Sequence, residues 1–161
     1  MNITKNIARH IREIHFGDNW SDVYMQDVLK DVTWQEATDA SLPCNSIAVL
    51  VFHTNFYLNA VCERVKGNND FKFKHEDTFK VPIITSEADW QALLQKTWAD
   101  AEAFALAVEQ FPEERLAEQN PPNLGSIYKK LHGIVEHNHY HLGQIVLMKK
   151  ILRNKNKKWQ Q

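Results

Sequence analysis

In the stretch VEHNHYHLGQIVL, residues 135–147, His137 and His141 stand four positions apart with His139 between them. A helix turns about 100° per residue, so His137 and His141 stack one turn apart while His139 points roughly to the opposite side. The cluster is therefore a pair plus an outlier. Such a pair is either part of a metal site or a solvated polar face of a helix.

The surrounding residues place the pair. The apolar stripe of this helix is centred on Ile127, Leu131, Ile134, Leu142, Ile145 and Leu152. His141 lies on the flank of that stripe, His137 slightly further round, and Gln144 shares the flank. His139 falls beside Val135 and Val146 on another side. In a helical bundle such a flank faces a neighbouring helix or a cleft mouth, where metals are held. Two imidazoles rarely make a tight site alone, and His53 is the candidate for a third ligand. It lies in the apolar stripe of another helix, among Val49, Leu50, Phe56, Tyr57 and Ala60. A ring buried there needs a partner for each nitrogen. A metal can take one while a carbonyl or carboxylate fixes the other, or the ring is simply hydrogen-bonded core. His10, His15, His75 and His132 fit no ligand pattern and read as surface or packing residues. Cys44 and Cys62 form no C-x-x-C pair, and Cys62 reads as a small buried residue.

The elements that must position these residues are long helices. Ile3, Ile7, Ile11 and Ile14 give residues 2–16 a helical spacing that Gly17 ends. Within residues 18–40, Thr33 and Glu36 have capping-box spacing for one short helix. A long helix opens with Asn45 or Ser46 as its cap and stops at Gly67. Residues 68–85 differ: FKFKHEDTFKVPI alternates by twos, as a small hairpin or an extended crossover would. Ser86 and Asp89 cap the next long helix, with Pro112 just past its end. After the breaker NPPN at 120–123, the last helix runs from about Ser126 to Leu152. A basic, frayed tail follows from about 153 to 161. Four long helices with one short and one long connection predict an all-α, up-down four-helix bundle with a long crossover, as a single domain over residues 1–161.

Composition restricts the partners. Nineteen Lys and Arg against 20 Asp and Glu leave no global field for nucleic acid or anionic membrane. The longest apolar run, IAVLVF at 47–52, is too short to span a bilayer, and the first residues lack the apolar block of a signal peptide. The expectation is a cytoplasmic protein that binds neither nucleic acid nor membrane.

Five segments together resemble the DinB-like superfamily, which includes YfiT-type thiol transferases and mycothiol-dependent maleylpyruvate isomerases. FGDNW at 16–20 is similar to the family's Gly-x-x-Trp after the first helix, and VLKDVTWQEA at 28–37 to its Leu-x-x-hydrophobic-Thr-x-x-x-Ala connector. NSIAVLVFH at 45–53 resembles the second-helix motif that ends in a metal histidine, and SEADWQALL at 86–94 the opening of the third helix. GIVEHNHYHLGQIVLMKKIL at 133–152 resembles the His-x-x-x-His-x-Gly-Gln signature, the most specific of the five. The resemblance implies metal ligation by His53, His137 and His141, with Gly143 permitting close helix packing and Gln144 beside the site. His139 stands where many members carry a small residue.

Three neutral imidazoles suit zinc, nickel or iron, and a three-histidine site leaves positions open for chemistry. The expectation is a divalent-metal-dependent enzyme, a thiol S-transferase or hydrolase, acting on a small electrophilic substrate. The resemblance adds a low-molecular-weight thiol as cosubstrate. The alternative is a non-catalytic metal-binding bundle with a scaffold or stress-response role. No carboxylate shares the flank of the histidine pair, so no general base is assigned; Tyr57 and Gln144 are candidates for orienting water or substrate. A homodimer is expected from the resemblance, with Trp34, Trp90 and Trp98 as candidate contributors to its interface.

Overall fold

The computed structural model describes residues 2–68, 71–119 and 125–158. Six α-helices carry the chain: α1 (Ile3–Phe16), α2 (Met25–Leu29), α3 (Trp34–Thr38), α4 (Ile47–Val65), α5 (Glu87–Glu109) and α6 (Ile127–Lys158). Short 3₁₀ turns occupy His75–Phe79 and Glu113–Arg115. The class is all-α, with no strand among the described residues. None of the described helices is long and apolar enough to cross a membrane.

Local chemistry sets the helix ends. Asn2 accepts from the Lys5 amide at the start of α1. Ser46, rather than Asn45, caps α4 by accepting from the Val49 amide. Ser86 does the same for α5 through Asp89. Each such cap satisfies an amide that the helix itself leaves unpaired. At the far end of α4, Gly67 has φ +92°, a conformation that L side chains rarely adopt. Its amide donates to the Arg64 carbonyl and the Asn68 amide to the Glu63 carbonyl, a nested pair that closes the last turn.

The four long helices pack around a shared interior: α1 against α5 and α6, and α4 against α5 and α6. Their buried residues fall into two apolar clusters stacked along the helices. One holds Leu50 and Val51 of α4, Trp90 of α5 and Leu142 and Ile145 of α6. The other holds Leu58 of α4, Phe104 of α5 and Leu131 and Ile134 of α6. Each large side chain fully buried this way contributes about 1.5–3 kcal/mol. Between the clusters the interior is polar. Thr54, Asn55, Thr97, Asn138, His53 and His141 are all buried there or at its edge. The two histidine-bearing helices therefore cross from one apolar cluster to the other at the level of the candidate ligands.

Polar ties fix the helices that carry this waist. The Asp100 carboxylate of α5 accepts from Asn55 and Asn59 of α4 and from Lys96. Burial opposes its charge, but those hydrogen bonds outweigh the cost and hold its pKa below the usual range. Arg153 of α6 makes a forked contact to Glu36 at 2.8 and 3.0 Å and also reaches Asp31.

Several expectations are corrected. Two short helices, not one, follow α1; the capping box of Thr33 and Glu36 starts α3, and α2 precedes it without a side-chain cap. The 68–85 segment forms no hairpin in its described part: backbone without regular structure flanks the 3₁₀ turn, and Asp77 in that turn accepts from the Lys74 amide. The alternation there reflects aromatic side chains folded onto α4, where Phe73 packs edge-on to Phe56 and Tyr57. Helix α6 extends past Leu152 to Lys158, and Arg153 is anchored, not frayed, because two carboxylates hold it. The NPPN breaker from Asn120 to Asn123 and the last tail residues, 159–161, lie outside the described residues. Trp90 is wholly buried, with its indole N–H donating to the Val32 carbonyl, so it has no surface to offer a partner. Trp34 and Trp98 are partly buried against the core.

Candidate metal centre

Helix α4 delivers His53, and one face of α6 delivers His137 and His141. The three imidazoles meet at the polar waist. His137 Nε2 lies 3.2 Å from His53 Nε2 and 3.1 Å from His141 Nε2. His53 and His141 are only 3% and 8% exposed. These three form a group whose potential ligand atoms all lie within 4.8 Å of one another, close enough to hold a metal ion.

The hydrogen-bond network assigns the protons. The Thr78 hydroxyl has one proton and gives it to the His75 carbonyl at 2.7 Å. Toward His53 it can then only accept, so His53 Nδ1, 2.9 Å away, carries the N–H. His141 Nδ1 lies 2.7 Å from the Gln144 side-chain oxygen, an acceptor, and so also carries a proton. In both neutral rings Nε2 is left as a bare lone pair. The lone pairs of His53 and His141 both face His137 Nε2; a proton on that nitrogen can serve one of them at a time, whereas a cation among the three nitrogens serves all of them. His137 Nδ1 is buried without a hydrogen-bond partner.

The spacing fits a metal. Two imidazole nitrogens about 2.0–2.1 Å from a common ion, subtending about 90–110°, stand about 2.8–3.4 Å apart. Both observed separations fall inside that interval. Protonation fits poorly by comparison. Burial, followed by the charge of neighbouring histidines, lowers His53 to about 4 and His137 to about 4 from 6.5. Burial lowers His141 as well. All three rings are neutral at physiological pH, the form in which imidazole ligates.

The rings are clamped by aromatic neighbours. Phe79 stacks on His53 with centroids 4.3 Å apart, and Tyr57 meets both His53 and His137 edge-on at 5.0 Å. The Tyr57 hydroxyl is bonded to His75 Nδ1 at 2.9 Å. Gln144 donates through its amide nitrogen to the Tyr140 hydroxyl at 3.0 Å.

His53, His137 and His141 thus come together, and His139 does not: it is exposed, with Nδ1 near the Val135 carbonyl of its own helix. No family model, curated protein or solved structure matches the chain.

Gly143 does not serve close packing. It is exposed, and a Cβ built there meets nothing within 4 Å. Gln144 does lie beside the site, and its task is to fix the His141 ring. His75, read as a surface or packing residue, is exposed but sits on the Tyr57 hydroxyl beside the centre. Thr78 and Phe79 were missed entirely, because alternation in FKFKHEDTFKVPI concealed a turn. The signal that marks it is Asp77, placed three residues after Lys74 to accept its amide. His15 is fully buried against Ile11, a packing residue as expected.

Proposed function

We propose that this chain is a metal-dependent enzyme of DinB-like architecture, an up-down four-helix bundle with a long crossover. His53, His137 and His141 hold one divalent ion, zinc, nickel or iron, and the reaction is thiol S-transfer or hydrolysis. One observation carries the reading: two neutral rings with committed Nδ1 protons aim bare Nε2 lone pairs at a third imidazole nitrogen, inside a buried waist. A proton on His137 Nε2 answers only one of those lone pairs at a time and leaves His137 Nδ1 unpaired, while a cation answers all three nitrogens; no carboxylate is hydrogen-bonded to these rings among the described residues.

The ligand group has three members among the described residues, which is the count of catalytic rather than closed structural sites. An ion there supplies Lewis acidity, lowering the pKa of water or a thiol so that a nucleophile is present near neutral pH. The protein's share is orientation and exclusion of water. Thr78 and Gln144 hold two rings in the ligating tautomer, while Phe79 and Tyr57 pack on His53, Tyr57 also on His137, and Tyr140 on His141. Tyr140 accepts from Gln144 and keeps its own hydroxyl proton to give to a substrate oxygen.

The test uses untagged protein loaded with zinc, nickel or ferrous iron, assayed for ester and amide hydrolysis and for thiol consumption against a panel of electrophiles. Activity that a chelator removes, metal restores and His53→Ala abolishes is expected. Stoichiometric metal with no activity in either assay favours the scaffold role instead.

A further inference from the structure

A cavity of about 490 Å³ opens beside His141, between one face of α6 and the loop that leads into α4. That volume lies within the range of small-molecule sites. We propose that this cavity binds an uncharged, apolar chain of the substrate whose reacting head lies at the three histidines, a proposal that rests on the metal-site reading above. The inference names the substrate class: an alkyl or aryl-alkyl compound, not an anionic peptide-like one.

The lining carries the argument. His141, Gln144 and Phe79 stand at the metal end, and Leu42, Leu50, Leu147, Met148 and Ile151 make much of the wall beyond. No lining residue is Lys, Arg, Asp or Glu. A carboxylate-bearing ligand drawn into such a wall loses hydration with no cation to replace it. The slot is also long. From His141 to Ile151, the furthest α6 residue that lines it, ten residues at 1.5 Å rise give about 15 Å of helix. Leu147 is 59% exposed although it is large and apolar, which is the pattern of a binding groove rather than of core. A larger cavity, about 680 Å³, lies between α4, α5 and residues 82–84. It is bordered by Glu63, Asp89 and Lys96 and includes none of the three histidines, so charge-free walls are a property of the cavity at the site.

Zinc-loaded protein titrated calorimetrically with straight-chain hydroxamic acids, acetyl to octanoyl, tests the proposal. Affinity is expected to rise about 4-fold per methylene as the chain enters the slot. A hydroxamate of the same length ending in a carboxylate should lose that gain. Leu147→Asp, at an exposed position, should flatten the series while leaving zinc stoichiometry and acetohydroxamate affinity unchanged. A flat series in the wild-type protein overturns the proposal, as does equal affinity for the carboxylate-ended chain. If none of zinc, nickel and ferrous iron binds, the metal reading fails separately and the slot is tested on metal-free protein. There, straight-chain alcohols should slow iodoacetamide labelling of exposed Cys44, which lines the cavity, increasingly with length. Cys62 is buried, with its thiol pKa raised by burial, and stays silent in that measurement. Labelling that no alcohol slows overturns the slot.

Discussion

Replacing Thr78 by valine removes one hydroxyl and almost no volume, yet among the described residues that hydroxyl is the only hydrogen-bond partner of His53 Nδ1. Thr78 is fully buried; it accepts from His53 Nδ1 at 2.9 Å and donates to the His75 carbonyl at 2.7 Å. In Thr78→Val the His53 N–H is left buried and unpaired whenever Nε2 ligates, a cost of about 1–3 kcal/mol. The ring can escape by moving its proton to Nε2, which withdraws it from the metal. Either way zinc affinity should fall by about 10–100-fold, since about 1.4 kcal/mol is one decade. Competition against a chromophoric chelator measures this on protein shown by circular dichroism to be folded. Thr78→Ser, which keeps the hydroxyl, should bind zinc within about threefold of wild type. If Thr78→Val binds zinc as tightly as wild type, the tautomer assignment is wrong and the ligating geometry loses its main support.

Other perturbations follow from the same structure. Burial lowers His15 to about 4 from 6.5, so the unfolded chain binds the extra proton as pH falls through that window. Its contribution is complete above 6.5 and is lost by pH 4, about 3 kcal/mol in all, and urea denaturation across that range should show a shallower decline for His15→Phe; identical slopes would discount its burial as a neutral ring. Gly143→Ala should raise stability by about 0.8–1 kcal/mol with zinc affinity unchanged, because the added methyl meets nothing within 4 Å in the middle of a helix. A lowered melting temperature would restore the close-packing role. Arg153→Met removes the clamp on Asp31 and Glu36 and should cost about 1 kcal/mol, less at high salt because the groups are partly exposed. A salt-independent loss would point to packing of the side-chain stem instead.

The sequence displayed what periodicity can display. The stripe through Ile127, Leu131 and Leu142 and the turn arithmetic separating His139 from its neighbours follow from 3.6 residues per turn, and the structure has both. His53 was legible as a histidine amid apolar neighbours, since a polar ring there must find partners. The partners themselves were not legible. Thr78 reaches His53 from 25 positions away through a crossover with no helical period, and only tertiary packing brings them together. Trp90 as an interface residue failed for the opposite reason: a large aromatic suits a surface patch and a core alike, and its N–H found the Val32 carbonyl. Gly143 shows that glycine inside a helix need not mean a close neighbour.

Metal content per chain decides the central claim most directly. Untagged protein equilibrated with zinc, passed through a desalting column and analysed by plasma mass spectrometry should retain one ion per chain. His53→Ala and His137→Ala, both shown to be folded, should retain essentially none. Wild-type protein that holds no stoichiometric zinc, nickel or iron, or variants that retain the ion undiminished, would contradict the assignment of these three histidines as a metal centre.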